Sequence, residues 1–229
     1  MFNFDPGQYR SDLEKNGFAH LKGVLTPEFV SHMKRFLAEA LSEAEKESQD
    51  WKIEGKKRQF VFEFPSDKDA DRFRRGMSRL TGIAIDDFTI SERHLKVYDD
   101  RANPYPAPHK DRSASQYSIG LPVDLADRST VCVFPDLEPG HNEEDHAVFL
   151  EDEDQGGIDA LYASKQAIML NEQIGDVVIF LGSTLFHERV RAAGTAVLYF
   201  KVNAAGIDPL GENIYAREDL SEAVAVAAE

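Results

Sequence analysis

The sequence predicts a mainly β domain, an antiparallel sandwich or barrel, with a helical layer at its N-terminal end. Three observations carry this reading. Short β-prone runs follow one another from about Ile90 onward, separated by Pro, Gly, Asp and Asn. Most of them have no helical stretch between them, which favours antiparallel pairing over a parallel α/β sheet. Before Ile90 the apolar residues recur instead at helical spacing.

The elements follow in order. Residues 7–16 read as a helix leading into the strand-like segment Gly17-Phe18-Ala19-His20-Leu21. Thr26 is a good N-cap and Pro27 suits a first helical turn. Phe29, Met33, Phe36, Leu37 and Leu41 then give that helix one apolar face. The charged stretch from Glu43 to Lys57 reads as its solvated end and a loop. A second helix is predicted over 67–80, with Arg72, Arg74 and Arg75 on a solvated face. The strands are predicted at 94–98, 115–123, 129–134, 147–150, 166–170, 176–181, 184–190 and 195–203. The tail Ala216–Glu229 reads as a last helix. No repeat or low-complexity linker divides the chain. It is read as one domain over 1–229: a helical layer at about 1–88, a β core at about 90–205 and a C-terminal extension at about 206–229.

Composition narrows the function. The chain has 229 residues and a formal net charge of -15. Such a surface repels phosphate backbones and anionic headgroups, so neither nucleic acid nor membrane is an expected partner. The single cysteine, Cys132, lies in the apolar run Val131-Cys132-Val133-Phe134 and reads as a core thiol. The opening residues show no basic segment followed by an apolar one. The sequence therefore predicts no signal peptide and a cytoplasmic location. Oligomeric state is not legible.

Two motifs carry chemistry. In Pro108-His109-Lys110-Asp111 an extended backbone points residues i and i+2 to one side, so His109 and Asp111 can converge on one ion. Further on, Gly175-Asp176 feeds the strand Val177-Val178-Ile179-Phe180-Leu181, Gly182-Ser183 breaks the run, and His187 ends the next apolar stretch. Two histidines and one carboxylate make a facial triad that leaves three positions open on octahedral iron(II), an arrangement suited to oxygen activation.

On these residues the chain resembles the iron(II)/2-oxoglutarate-dependent dioxygenase superfamily, and within it the phytanoyl-CoA-hydroxylase-like branch. His109, Asp111 and His187 match its metal motif in order. The opening pattern is also similar, as Gly17-Phe18-Ala19-His20-Leu21 and Leu25-Thr26-Pro27-Glu28. So is the stretch from Val133-Phe134-Pro135 to Pro139-Gly140-His141, although the branch's serine before the histidine is missing. The resemblance spans about 8–205.

It implies a double-stranded β-helix, a cupin-like jelly-roll, with helices packed on one sheet. The implied metal ligands are His109, Asp111 and His187, and the cofactors are Fe(II), 2-oxoglutarate as cosubstrate and O2. The implied reaction is hydroxylation of an unactivated C–H bond of a small polar metabolite, an amino acid or natural-product intermediate, with release of succinate and CO2. Because Asp111 keeps the carboxylate that related halogenases lack, hydroxylation is expected over halogenation. The family's basic anchor for the far carboxylate of 2-oxoglutarate is absent from its usual positions, where Gly194 and Ala196 stand. Lys201, fourteen residues after His187, takes that role in this reading, with Arg191 second. Tyr98 corresponds to a tyrosine that hydrogen-bonds the cosubstrate in related oxygenases, and Tyr105 has a lesser claim. The acidic runs Glu143-Glu144-Asp145 and Glu151-Asp152-Glu153-Asp154 read as solvated loops. Two alternatives are a prolyl-hydroxylase-like oxygenase acting on a peptide or protein, and a non-catalytic jelly-roll that binds a metal or ligand.

Overall fold

The computed structural model describes residues 1–47, 58–138, 140–150 and 157–215. The expected tail helix over 216–229, the acidic run at 151–154 and the loop within 48–57 lie outside the described residues.

Four helices and eleven strands make up the described fold. The helices are α1 (Arg10–Asn16), α2 (Pro27–Glu47), α3 (Asp67–Thr81) and α4 (Ile158–Tyr162), with short 3₁₀ turns at Pro6–Tyr9 and Ile85–Asp87. The strands are β1 (Phe18–Leu21), β2 (Arg58–Val61), β3 (Thr89–Val97), β4 (His109–Lys110), β5 (Tyr117–Asp124), β6 (Thr130–Phe134), β7 (Val148–Phe149), β8 (Ile168–Met169), β9 (Val177–Phe180), β10 (Phe186–Val190) and β11 (Ala196–Asn203). They form two antiparallel sheets. The larger has the order β1-β9-β5-β11-β3-β2 and the smaller the order β7-β4-β10-β6-β8. This is a jelly-roll in which helices cover one face.

The helices begin and end where their chemistry dictates. Thr26 accepts from the Phe29 amide, as an N-cap does. Ser66 caps α3 by accepting from the Asp69 amide at 3.2 Å. Gly82 ends α3 at φ 78°, a left-handed conformation that costs glycine nothing. Phe29 and Met33 of α2, and Phe73, Met77 and Leu80 of α3, bury themselves on the outer face of the larger sheet. There they meet Ile90 and Leu95 of β3 and Leu198, Phe200 and Val202 of β11. The Phe73 and Phe200 ring centroids are 4.3 Å apart and those of Phe62 and Phe200 are 6.0 Å apart. Each such buried ring contributes roughly 1.5–3 kcal/mol.

Central strand β11 is buried along its whole length. Its alternate residues Val197, Tyr199 and Lys201 face the smaller sheet, while Leu198, Phe200 and Val202 belong to the helix-side core. Val131 and Val133 of β6 close the space between the sheets against Val178 and Phe180 of β9. Cys132 points the other way and is fully buried among Phe134, Phe186 and Tyr162. Burial pushes its thiol up to about 12, so it is a core thiol and not a nucleophile.

Several elements differ from expectation. The strand expected at 94–98 begins at Thr89, while β2 and α4 were not anticipated. β1 matches the strand-like segment expected at 17–21, and with β2 it forms the two edges of the larger sheet although both lie within the stretch read as helical layer. Four-residue segments carry almost no periodic signal. Their pairing is set by partners far away in sequence, Val177–Phe180 for β1. Among the described residues no helix is long and apolar enough to cross a membrane.

Candidate metal centre

β4 and β10 are neighbours in the smaller sheet, and their pairing places His109 directly opposite His187. The two rings lie 4.6 Å apart, centroid to centroid. Past β4 the chain turns inward, because the Asp111 amide donates to the Gly182 carbonyl at 2.9 Å. Its carboxylate then lies between the two rings. Oδ1 is 3.6 Å from His109 Nε2 and Oδ2 is 3.4 Å from His187 Nε2. One ligand atom from each of the three residues falls within 4.8 Å of the others. Two imidazole nitrogens and a carboxylate oxygen, all converging, suit a divalent transition ion and leave coordination positions free.

Close packing fixes Asp111. Ser118 on β5 and Lys201 on β11 both hydrogen-bond its Oδ2, and Lys201 Nζ also reaches Ser118 Oγ at 2.8 Å. Asn142 donates to the Asp111 carbonyl at 2.9 Å. Gly182 makes this approach possible: a Cβ there would lie 2.7 Å from Asp111 Oδ2 and 2.8 Å from the Ser115 carbonyl. Burial opposes the Asp111 charge, but Lys201 and His187 outweigh it and hold the carboxyl well below the usual carboxylate range.

The two histidines are oriented differently. His187 Nδ1 donates to the Leu185 carbonyl at 2.9 Å. His109 Nδ1 faces Glu188 Oε2 at 3.2 Å. Burial opposes a charge on His109, but Glu188 and Asp111 push its pKa up to about 9. For His187 burial wins, aided by the charges of His109 and Lys201, and its pKa is lowered.

A narrow cavity of about 40 Å³ opens beside the triad, lined among others by Lys96, Tyr98, Glu188, Arg189, Tyr199 and Lys201. Three cations therefore converge on it, each already held by an anion. Lys201 is on Asp111, Lys96 on Glu92 at 2.7 Å, and Arg189 on Glu172. Arg189 Nε also donates to the Tyr199 hydroxyl at 2.9 Å.

Of the residues singled out in the sequence, His109, Asp111 and His187 come together, and Lys201 and Tyr98 line the same cavity. Arg191 does not line it. It stands exposed at the end of β10 and its guanidinium packs on the Tyr105 ring, 5.3 Å from the centroid. Strand alternation would have put Arg191 on the same face as His187 and Arg189, but at φ 51° the backbone has already left β10 and turns it away. Arg72 and Arg75 are exposed and paired with acids on their own helix, and Arg74 lies over Tyr215. Glu188, Arg189, Lys96, Ser118, Asn142 and Tyr199 were not anticipated. A signal existed for Arg189, which shares the strand face of His187 at i+2; the others depend on strand pairing and loops.

No protein-family profile matches the chain, and no curated protein is similar to it in sequence. Solved structures are similar in fold. The non-haem α-ketoglutarate-dependent carbocyclase SnoK of nogalamycin biosynthesis is 12% identical, with a TM-score of 0.58 over 85% of this chain and 82% of that one. The epimerase SnoN, in complex with Fe3+, α-ketoglutarate and nogalamycin RO, is 14% identical, with a TM-score of 0.55 over 86% and 83%. HygX of Streptomyces hygroscopicus, with nickel and 2-oxoglutarate bound, is 12% identical, with a TM-score of 0.53 over 85% of each chain. The chain thus shares the jelly-roll fold of these proteins.

Proposed function

We propose that the protein is an iron(II)/2-oxoglutarate-dependent oxygenase of a single domain that hydroxylates a small polar metabolite, in the cytoplasm. The observation that carries this reading is the convergence of His109, Asp111 and His187 between the sheets of a jelly-roll, beside a cavity that three cations line. The likeness of fold to enzymes that use α-ketoglutarate supports it. Within that group the phytanoyl-CoA-hydroxylase-like branch is favoured by the opening pattern of residues 17–28.

In this reading the three side chains hold iron through two nitrogens and one oxygen. The iron, when bound, supplies oxygen activation coupled to decarboxylation of 2-oxoglutarate. The protein's part is to orient and enclose. Ser118 steadies Asp111, as Lys201 does until the cosubstrate draws it away, so the carboxylate is set in place before it takes a cation. Lys201 and Tyr98 hold the cosubstrate. The cavity accommodates only a few waters as it stands, so a dicarboxylate enters with Lys201 swinging off Asp111. Lys96 and Arg189 add positive potential deeper in the roll. Arg191 is replaced in this role, because its side chain is engaged with Tyr105 on the surface.

The test is an anaerobic titration of 2-oxoglutarate into the Fe(II)-loaded protein, followed by admission of O2. A visible charge-transfer band and iron-dependent succinate are expected from the wild type, and neither from Asp111→Ala. A wild type that binds iron without developing the band is a metal-binding module and ends the oxygenase reading.

A further inference from the structure

Glu188 sits at a place where a carboxylate needs a reason. It follows His187 on β10, stands opposite Cys132 of β6, and its side chain is only 14% exposed. By register it shares a face with Cys132 and Phe134, in an apolar cluster, and its side chain also borders the cavity beside the triad. Burying a carboxylate there costs several kcal/mol unless its oxygens are satisfied. Arg189, the next residue, does not supply the counter-charge: its guanidinium is engaged with Glu172, Ser129 and Tyr199. Two donors reach Glu188. Oε1 accepts from the Arg189 amide at 2.8 Å and Oε2 faces His109 Nδ1 at 3.2 Å. An ionised carboxylate can only accept, so Nδ1 carries the proton and donates. That leaves the other nitrogen, Nε2, aimed at the space it shares with Asp111.

The need for this partner follows from the local structure. β4 is two residues long and lies next to the edge strand β7, whose Phe149 is itself 58% exposed. The His109 ring is flanked by Phe149 at 5.2 Å and His187 at 4.6 Å. Neither contact fixes which nitrogen points inward. His187 lies on a five-residue central strand and needs only a backbone carbonyl to set its ring.

We propose that Glu188 is a positioning residue for the metal centre: its carboxylate holds the proton on His109 Nδ1 and so commits Nε2 to the metal. This rests on the metal-binding reading above. Partners of this kind also raise ligand basicity, and their loss typically lowers metal affinity roughly 10–100-fold.

The experiment titrates Co(II), followed by its visible d–d bands, into the wild type, Glu188→Ala, Glu188→Gln, His109→Ala and the Glu188→Ala/His109→Ala double variant. Glu188→Ala is expected to weaken Co(II) binding by roughly 10–100-fold. Glu188→Gln, which keeps an acceptor at Nδ1, recovers most of that loss. In the His109→Ala background, removing Glu188 has no further effect, because the two act as one unit. A merely structural role would persist in that background and would not be rescued by glutamine. Wild-type affinity in Glu188→Ala, or an unchanged penalty without His109, overturns the proposal while leaving the metal reading intact. A wild type that binds no Co(II) overturns both. Should Glu188→Ala not fold, Glu188→Gln against Glu188→Leu reads the same contrast at near-constant volume.

Discussion

The two sheets of the roll bury different things, and the difference separates what holds the molecule together from what it uses. The larger sheet turns an aromatic and aliphatic face to α2 and α3. Phe62, Phe73, Phe88 and Phe200 are all fully buried there. The smaller sheet holds both candidate histidines. Beside it Glu172 pairs with Arg189, Glu188 faces His109, and Asp111 lies against His187 and Lys201, all largely shielded from water. An apolar core tolerates substitution in proportion to the volume lost. A buried charge network fails when any one partner goes, because the remaining charge has no water to return to. The helix-facing side of the larger sheet is thus a scaffold, and the space between the two sheets a site whose polar groups have been brought indoors.

The sharpest way to break this contrast is Phe200→Ala. It removes a ring that touches Phe62, Phe64 and Phe73, and about 4 kcal/mol of unfolding free energy should go with it. Urea titration measures the loss. Co(II) affinity of the folded variant should stay at the wild-type level, since the ring faces away from the triad. A comparable weakening of metal binding would show the two sheets to be one unit.

Glu172→Gln tests the other half. It leaves the Arg189 guanidinium without its carboxylate at a position where both side chains are almost entirely inaccessible. A loss of about 3 kcal/mol is expected. Unlike Phe200→Ala, it should also change ligand binding, because the freed guanidinium lines the cavity. If the two variants are alike in their effect on binding, the division into scaffold and site is wrong.

The smallest expected effect concerns how the segment after β11 is held to β3. Glu212 contacts His94 Nε2 at 2.7 Å and accepts from the Arg93 amide at 2.8 Å. Burial opposes the His94 charge, but Glu92 and Glu212 outweigh it and raise its pKa above the ordinary histidine value. The stability this adds is complete below the unfolded pKa of roughly 6.5 and is lost as pH rises through the folded value. Glu212→Gln should therefore cost about 1 kcal/mol below pH 6. That cost should shrink toward alkaline pH to whatever the Arg93 amide bond contributes. Unfolding curves across this range that stay parallel would mean His94 is not charged in the folded protein.

The candidate metal triad was readable from two local motifs. His109 and Asp111 stand two apart on an extended segment, and His187 lies past the Gly182-Ser183 break that follows the strand a Gly-Asp turn announces. Helices α2 and α3 were readable, the first from its Thr26 cap and apolar periodicity. What escaped was whatever depends on which strand lies beside which. Glu188 is one residue from a recognised histidine, yet its role depends on His109, which is 79 residues away in sequence. Arg191 stood second to Lys201 on paper; a left-handed turn carries it out to Tyr105, while β11 carries Lys201 in to Asp111.

The sequence by itself determined the kinds of element, the facial set of two nitrogens and a carboxylate, and the acidic surface, since each follows from residues near one another or from simple totals. Only the tertiary structure decided that four-residue segments would close the edges of the larger sheet, which cations would reach the cavity, and which acceptor would orient each imidazole. Sheet register fixes these things. It is set by the summed burial of whole faces, a quantity that no short stretch of chain contains.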